Sequence, residues 1–248
     1  MSEATPKGGA QATDRPALPK RFYKTAEAVG DQGAWGVALD GRPVRTPGRK
    51  PLSVASRALA EDIAAEWQAQ ETVVDPAQMP LTRLCNTAID GVAPSMEAVV
   101  EDAARFAETD LLCYRAEDPE GLVARQNETW DPILAWARDN LGLSFNLAGG
   151  VMHVAQPPET LERVRQLLGD LDHVCLTGVH VMTSLTGSVV LALAVLHGRL
   201  GAEEAWAASL VDEDWQIGQW GEDAEAMRRR RAKWLEMQAA ARIAGTTD

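Results

Sequence analysis

The segment from Trp206 to Trp220 brings acidic side chains into a stripe of indoles and aliphatic side chains. On a single helix turning by roughly 100° per residue, this apolar stripe consists of Trp206, Leu210, Ile217 and Trp220. Glu213 falls inside the stripe and Asp214 at its rim. A carboxylate among apolar groups is costly unless it is paired or protonated. The pattern therefore predicts an acid with a specific partner or a specific task.

Three roles are open for Glu213. It is structural if an arginine of the same chain pairs with it. It is catalytic if its apolar surroundings tune it as a general acid. It is a recognition residue if the stripe is partly exposed and another protein supplies the basic group. The sequence favours the third role, because aromatic anchors around a charge are typical of the residues that dominate binding at interfaces.

Other patterns that carry chemistry are absent from the sequence. It contains neither a GxxxxGK[ST] phosphate loop nor a GxGxxG dinucleotide fingerprint. The histidines form no HxxxH or HExxH pair; they are His153, His173, His180 and His197. We therefore predict no catalytic residue, no metal and no cofactor. An active site assembled from distant residues stays open as the alternative.

Charge argues against nucleic acid as a partner. The net charge is −12, and residues 51–221 hold 9 basic and 26 acidic groups, so most of the chain would be repelled by phosphate backbones. The basic run RRRRAK at 228–233 is preceded by acids, and Glu225 with Arg229 makes an i, i+4 pair. We interpret this run as a solvated helix face.

The remaining bulk features point to a protein that is neither secreted nor inserted in a membrane. Three separated cysteines without a CxxC motif fit a reducing compartment. The longest apolar run, 188–196, is too short to span a bilayer, which requires about 20 residues. Residues 1–20 have no apolar core typical of a signal peptide and are predicted to be a disordered lead-in.

Two periodicities divide the chain. Alternating residues on both sides of Asp40-Gly41 predict a β-hairpin within 21–54. Helical spacing follows, with Ser56 and Ser95 as caps, Pro132 in a first turn, and further helical runs at about 172–197 and 201–219. We predict an α+β fold: a β-rich N-terminal α/β unit at 21–94 and a larger helical bundle at 95–243.

Eight stretches, in order, resemble the F1-ATPase assembly chaperones, which hold the free α subunit of ATP synthase before it joins β. They are RFYK (21–24), LDGRPVRTP (39–47), EWQAQ (66–70), MPLTRLCNTAID (79–90), TDLLCYRA (109–116), WDPILAW (130–136), LALA (191–194) and DEDWQIGQWG (212–221). Together they extend over most of residues 21–221. The resemblance implies an N-terminal α/β unit joined to a C-terminal helical bundle.

The same resemblance implies a function. Members of the family are not enzymes and need no cofactor, so the expected partner is the F1 α subunit. The family places a functionally important acid in the stretch matched by DEDWQ, for which Glu213 is the first choice and Asp214 the second. Mitochondrial members begin with a targeting presequence that is missing here, which is expected of a bacterial member in the cytoplasm. The alternative is an enzyme or small-molecule binder with a pocket in the bundle.

Overall fold

A computed structural model describes residues 17–31, 33–150 and 152–245. Most of the lead-in predicted at 1–20 lies outside these residues. The described part contains six short strands and ten α-helices.

The N-terminal strands form one small antiparallel sheet. They are β1 (Ala26–Asp31), β2 (Ala34–Leu39), β3 (Arg42–Pro43) and β4 (Ser53–Val54), and β2 pairs with the other three. The turn between β2 and β3 places Asp40 at φ 47° and Gly41 at φ 78°. Positive φ at both central residues is what a tight hairpin turn requires, so the Asp-Gly hairpin is confirmed.

Two helices cover this sheet and lead into the bundle. Helix α1 (Arg57–Gln68) packs on β1 and β2, and Ser56 caps it as predicted by accepting a hydrogen bond from the Leu59 N–H. Helix α2 (Pro80–Thr87) begins where the Glu66 carboxylate accepts hydrogen bonds from the N–H groups of Leu81 and Thr82. These bonds satisfy helix donors that otherwise lack partners.

Eight further helices form the bundle. They are α3 (Met96–Ala104), α4 (Glu120–Trp136), α5 (Pro158–Gly169), α6 (His173–Thr186), α7 (Val189–Leu196), α8 (Ala202–Ser209), α9 (Val211–Trp220) and α10 (Ala224–Ala244). Two short parallel strands, β5 (Tyr114–Arg115) and β6 (Ala148–Gly149), pair beside them. Among the described residues, no helix is both long and apolar enough to cross a membrane.

Three predictions about helices are wrong. The helix predicted at 172–197 is two helices, because Gly187 adopts φ 71° and Ser188 caps a new helix. The helix predicted at 201–219 breaks at Leu210. Pro132 lies inside α4 and not in a first turn. The first break uses glycine's access to positive φ, whereas the second has no such local signal.

The core of the bundle is the crossing of α6 and α10. Gly178 faces the α10 backbone so closely that a Cβ atom there would lie 2.5 Å from the Ala240 carbonyl oxygen and 2.9 Å from Ala244 Cβ. Helix α7 lies next to this crossing, and its residues from Val189 to Ala194 are all buried. Small residues therefore allow α6 and α10 to approach closely, and the apolar helix α7 packs beside them.

The α+β class is confirmed by the sheet and the bundle together. Helix α2 contacts α10, and the π-helical turn after it (Ala88–Val92) contacts α6. The two parts thus share an apolar contact region. The division into units at 21–94 and 95–243 stays a prediction.

Candidate functional site

The acidic segment lies at the start of α9, after a helix break. Helix α8 ends at Ser209, and Leu210 at φ −109° and ψ 12° separates it from α9. The indole Nε1–H of the fully buried Trp130 donates a 2.8 Å hydrogen bond to the Ala208 carbonyl oxygen. Because the chain turns here, one helical wheel cannot describe 206–220 as predicted.

The break separates the predicted stripe into two groups. Trp206 and Leu210 are buried, with 8% and 9% of their surface exposed. Trp206 packs beside Trp234 of α10, with ring centroids 6.1 Å apart. Trp206 and Leu210 are therefore core residues at the break between α8 and α9, while Ile217 and Trp220 lie on α9 itself.

One face of α9 is fixed against α4. Val211 is buried, and a Cβ atom on Gly121 of α4 would lie 2.7 Å from the Trp215 ring. The Gln126 side chain donates a 2.6 Å hydrogen bond to Asp212. Asp212 is therefore a positioning group for α9, and Gly121 provides the space in which Trp215 lies.

The opposite side of α9 carries Glu213, Ile217 and Trp220, which we call the outer face of α9. Their spacings of four and three residues place them within about 60° of each other and away from Trp215. Trp220 is 88% exposed, and Glu213 and Ile217 are partly exposed. Within α9, the predicted grouping of an acid with two apolar side chains is observed.

Asp214 has the intramolecular partner that was considered for Glu213. Arg230 of α10 donates a hydrogen bond to the Asp214 carboxylate and forms an ion pair with it. This hydrogen bond is the main reason why the pKa of Arg230 is raised above its ordinary value. The pair joins α9 to α10 across the turn at residues 221–223.

Glu213 instead faces a group of basic side chains. It lines a cavity of about 310 Å³ with Arg229, Arg230 and Lys233. No hydrogen bond or ion pair within 4.0 Å reaches its carboxylate from the described part of the chain. The basic run at 228–233, interpreted from the sequence as a solvated face, therefore contributes to the surroundings of Glu213. The i, i+4 pair of Glu225 with Arg229 is confirmed.

A wider groove shares Arg230 and Trp206 with the cavity of Glu213. It encloses about 640 Å³ between α8 and α10, and Trp206, Met227 and Trp234 provide its apolar walls. Arg228 and Arg231 line its rim together with Glu203. This groove is where the alternative of a small-molecule binder would place its ligand.

The described residues offer little to an enzyme or metal site. Over 17–31, 33–150 and 152–245 there is no group of three or more His, Cys, Asp or Glu side chains that could hold a metal ion. His180 Nε2 lies 2.8 Å from the Asp102 carboxylate, but the Ser184 hydroxyl donates to the His180 carbonyl oxygen and not to the ring. These three residues are therefore not arranged as a nucleophile with its base.

Comparison with known sequences identifies the family of this chain. The model of the ATP12 chaperone protein family matches residues 20–138. The mitochondrial protein atp12 of Schizosaccharomyces pombe is 30% identical over 219 residues, which cover 83% of this chain and 75% of that protein. The chain belongs to the ATP12 chaperone family. The resemblance drawn from the eight sequence stretches is thereby confirmed.

Solved structures of the family agree with this fold. The crystal structure of Atp12 from Paracoccus denitrificans has a TM-score of 0.87 at 41% identity and covers 93% of this chain and 99% of that one. A protein of Agrobacterium tumefaciens has a TM-score of 0.89 at 50% identity, covering 93% and 87% of the two chains. The ATP12 fold therefore includes both the sheet and the bundle.

Proposed function

We propose that this chain binds the free α subunit of ATP synthase F1 and keeps it from aggregating until it joins β. Membership of the ATP12 chaperone family supports a chaperone role. The outer face of α9 is the proposed contact site, because Trp220 exposes 88% of its surface there. The other side of α9 packs against α4. A large exposed indole on a rigid support is the kind of anchor on which binding energy is concentrated.

The chemistry of the proposed contact follows from the outer face. An unassembled subunit exposes the apolar surface that it will later bury, and such surface aggregates. Ile217 and Trp220 supply apolar cover, whereas Trp206 and Leu210 are buried and do not contact the partner. Glu213 engages a basic group of the α subunit, and Asp214 keeps α9 against α10.

The charge of Glu213 affects how fast this contact should form. Glu213 is partly exposed and has basic side chains on one side. Rim charges at interfaces mainly accelerate encounter and fix register. The complex should therefore form quickly, which suits a chaperone that has to reach free α subunit before it aggregates.

Capture of the α subunit by Trp220→Ser and Glu213→Lys variants tests this proposal. Recombinant α subunit from the same organism would be titrated onto immobilised chain, and each variant should weaken capture at least tenfold. Thermal unfolding of Trp220→Ser should stay within about 1 °C of wild type, because its ring is exposed. Glu213→Gln accompanies Glu213→Lys, because a lysine at this position would face Arg229, Arg230 and Lys233. The control is Glu128→Lys, an exposed acid on α4. Wild-type capture by the folded Trp220 and Glu213 variants would exclude the outer face as the site.

The enzyme or small-molecule alternative depends on the groove between α8 and α10. Its volume of about 640 Å³ lies in the range of ligand sites. A ligand seated there would raise the melting temperature of the chain in the absence of α subunit. We propose no catalytic role, because the family is one of chaperones.

The bacterial cytoplasm is the proposed place of action. Two of the relatives with solved structures come from the bacteria Paracoccus denitrificans and Agrobacterium tumefaciens. Cys85, Cys113 and Cys175 are all buried free thiols, which is compatible with a reducing compartment.

A further inference from the structure

A second surface with binding character lies on the N-terminal sheet, in a groove of about 480 Å³ that we call the Phe22 groove. Phe22 forms one wall and is 74% exposed. Tyr23, Val44 and Trp67 line the apolar part, and Arg42 and Arg45 line the other wall. An exposed phenyl ring beside an apolar groove leaves unusual apolar area in water.

The segment that carries Phe22 is held rigidly. The Tyr23 hydroxyl donates a 2.7 Å hydrogen bond to the Trp67 carbonyl oxygen. Arg21 donates to the carbonyl oxygens of Tyr23, at 3.1 Å, and of Lys24, at 2.9 Å. Because its neighbours are bound on both sides, the Phe22 ring faces solvent from a fixed backbone and not from a loose end.

The aromatic rings form a continuous path into the groove. Phe22 and Tyr23 meet edge to face with centroids 5.3 Å apart, and Tyr23 and Trp67 lie 5.8 Å apart at 63°. The groove thus joins the exposed Phe22 ring to the Trp67 ring through Tyr23.

The charge of the groove is positive on an acidic protein. Residues 17–50 contain seven basic and three acidic side chains, whereas the whole chain has a net charge of −12. Neither Arg42 nor Arg45 forms an ion pair among the described residues, and Arg45 donates only to the Arg49 carbonyl oxygen. Both guanidinium groups keep donors free for a carboxylate.

Asp40 is the acid that lines the groove, and its charge is already engaged. Its carboxylate accepts hydrogen bonds from the backbone N–H groups of Lys24 and Thr25 and from the Thr25 hydroxyl. The backbone hydrogen bonds from Thr25 and Lys24 hold the pKa of Asp40 below its ordinary value. Asp40 therefore fixes the segment that carries Phe22 and leaves Arg42 and Arg45 to an external anion.

We propose that the Phe22 groove binds a segment of a partner protein in which one large apolar side chain is flanked by carboxylates. The apolar side chain packs between Phe22 and Val44, and the carboxylates receive hydrogen bonds from Arg42 and Arg45. A polyanion such as RNA fits less well, because the acidic body of the protein repels a long phosphate chain. This surface is separate from the outer face of α9 and stands whether or not that face binds the α subunit.

The test uses the full chain and three fluorescein-labelled heptapeptides. The sequences are Gly-Gly-Asp-Phe-Glu-Ser-Gly, its amide form Gly-Gly-Asn-Phe-Gln-Ser-Gly and its basic form Gly-Gly-Lys-Phe-Lys-Ser-Gly. Fluorescence anisotropy should show the acidic peptide binding at least tenfold more tightly than the other two. Raising the salt concentration from 50 to 500 mM should weaken that binding several-fold.

Variants assign the binding to the groove. Phe22→Ser and the double variant Arg42→Glu/Arg45→Glu should each weaken binding of the acidic peptide at least tenfold. Arg125→Glu, which changes an exposed arginine on α4, should leave it unchanged. Circular dichroism of each variant verifies that the fold is intact.

Three results would overturn the inference. The first is equal affinity for the acidic and amide peptides. The second is unchanged binding by the folded Phe22→Ser and double variants. The third is a different occupant: tighter binding of a labelled seven-nucleotide RNA, or a Phe22-dependent dimer in sedimentation. Because no α subunit is used, failure here leaves the capture test of the α9 face unaffected.

Discussion

Asp214 and Arg230 form an ion pair that joins α9 to α10, 16 residues apart in the chain. Their side chains are 30% and 22% exposed, so water screens the pair only in part. Arg230 also lines both the cavity of Glu213 and the groove that contains Trp206 and Trp234. The pair thus fixes the position of the outer face relative to the basic side chains of α10.

A double-mutant cycle on this pair should give a measurable coupling. Asp214→Ala and Arg230→Ala should each destabilise the fold by about 1 kcal/mol, and their coupling should be about 0.5–1 kcal/mol because the pair is half-buried. Urea unfolding of the wild type and the three variants measures it. The coupling should decrease in 0.5 M salt. Additive single effects would show that the contact contributes nothing to stability.

Truncation of Trp130 should lower the stability of the fold strongly, whereas truncation of Trp220 should hardly change it. Trp130→Ala should cost about 3–5 kcal/mol, because it empties a buried site and removes the hydrogen bond to Ala208. Trp220→Ala should stay within about 0.5 kcal/mol, since the ring is exposed. Chemical unfolding of both variants measures the contrast. A large loss of stability for Trp220→Ala would mean that this ring is structural.

Gly178→Ala should destabilise the bundle by about 1–3 kcal/mol. The new methyl would meet the Ala240 carbonyl oxygen and Ala244 and force α6 away from α10. Thermal unfolding monitored by circular dichroism measures the loss. Gly169→Ala is the matched control, because no atom lies within 4 Å of the corresponding position. Equal effects of the two substitutions would contradict the tight α6–α10 crossing.

Asp110 should make stability depend on pH in an unusual direction. This carboxyl is fully buried and accepts hydrogen bonds from the N–H groups of Leu112 and Val190. Burial raises its pKa to about 6, above the ordinary value near 4. The folded chain therefore holds the proton more tightly than the unfolded chain. Its contribution to stability is complete below about pH 4 and is lost as pH rises through 6.

Comparison with Asp110→Asn isolates this contribution. Between pH 4 and 6.5, the stability of the wild type relative to the variant should fall by about 2–3 kcal/mol, which corresponds to a shift of roughly two pKa units. Urea unfolding at several pH values measures the difference. A constant difference, or one that grows with pH, would show that Asp110 has an ordinary or lowered pKa in the fold.

Local signals predicted much of the fold. The Asp40-Gly41 turn and the Ser56 cap depend on backbone preferences that single residues impose. The break at Leu210 could not be predicted in this way. The Trp130 indole donates a hydrogen bond to the Ala208 carbonyl oxygen, and the Ser209 hydroxyl donates one to the Trp206 carbonyl oxygen. Helix α8 therefore ends at side-chain contacts, without a glycine or proline.

The candidate site was predicted where its residues share one helix. Glu213, Ile217 and Trp220 lie within α9, so the helical period places them together correctly. Trp206 and Leu210 lie before the break and are buried below them. The pairing of Asp214 with Arg230 depends on the packing of two helices, and no sequence period contains that information. The sequence marks Phe22 only as part of the RFYK stretch, because a single exposed ring creates no periodic pattern.

Trp130 and Gly121 both lie on α4: the Trp130 indole donates a hydrogen bond to Ala208 of α8, and Gly121 leaves the space in which Trp215 of α9 lies. One helix therefore anchors the segments on both sides of the break at Leu210. The last turn of α9, which carries Ile217 and Trp220, lies beyond these anchors, so substitutions there should change the surface of the protein with little change in its melting temperature.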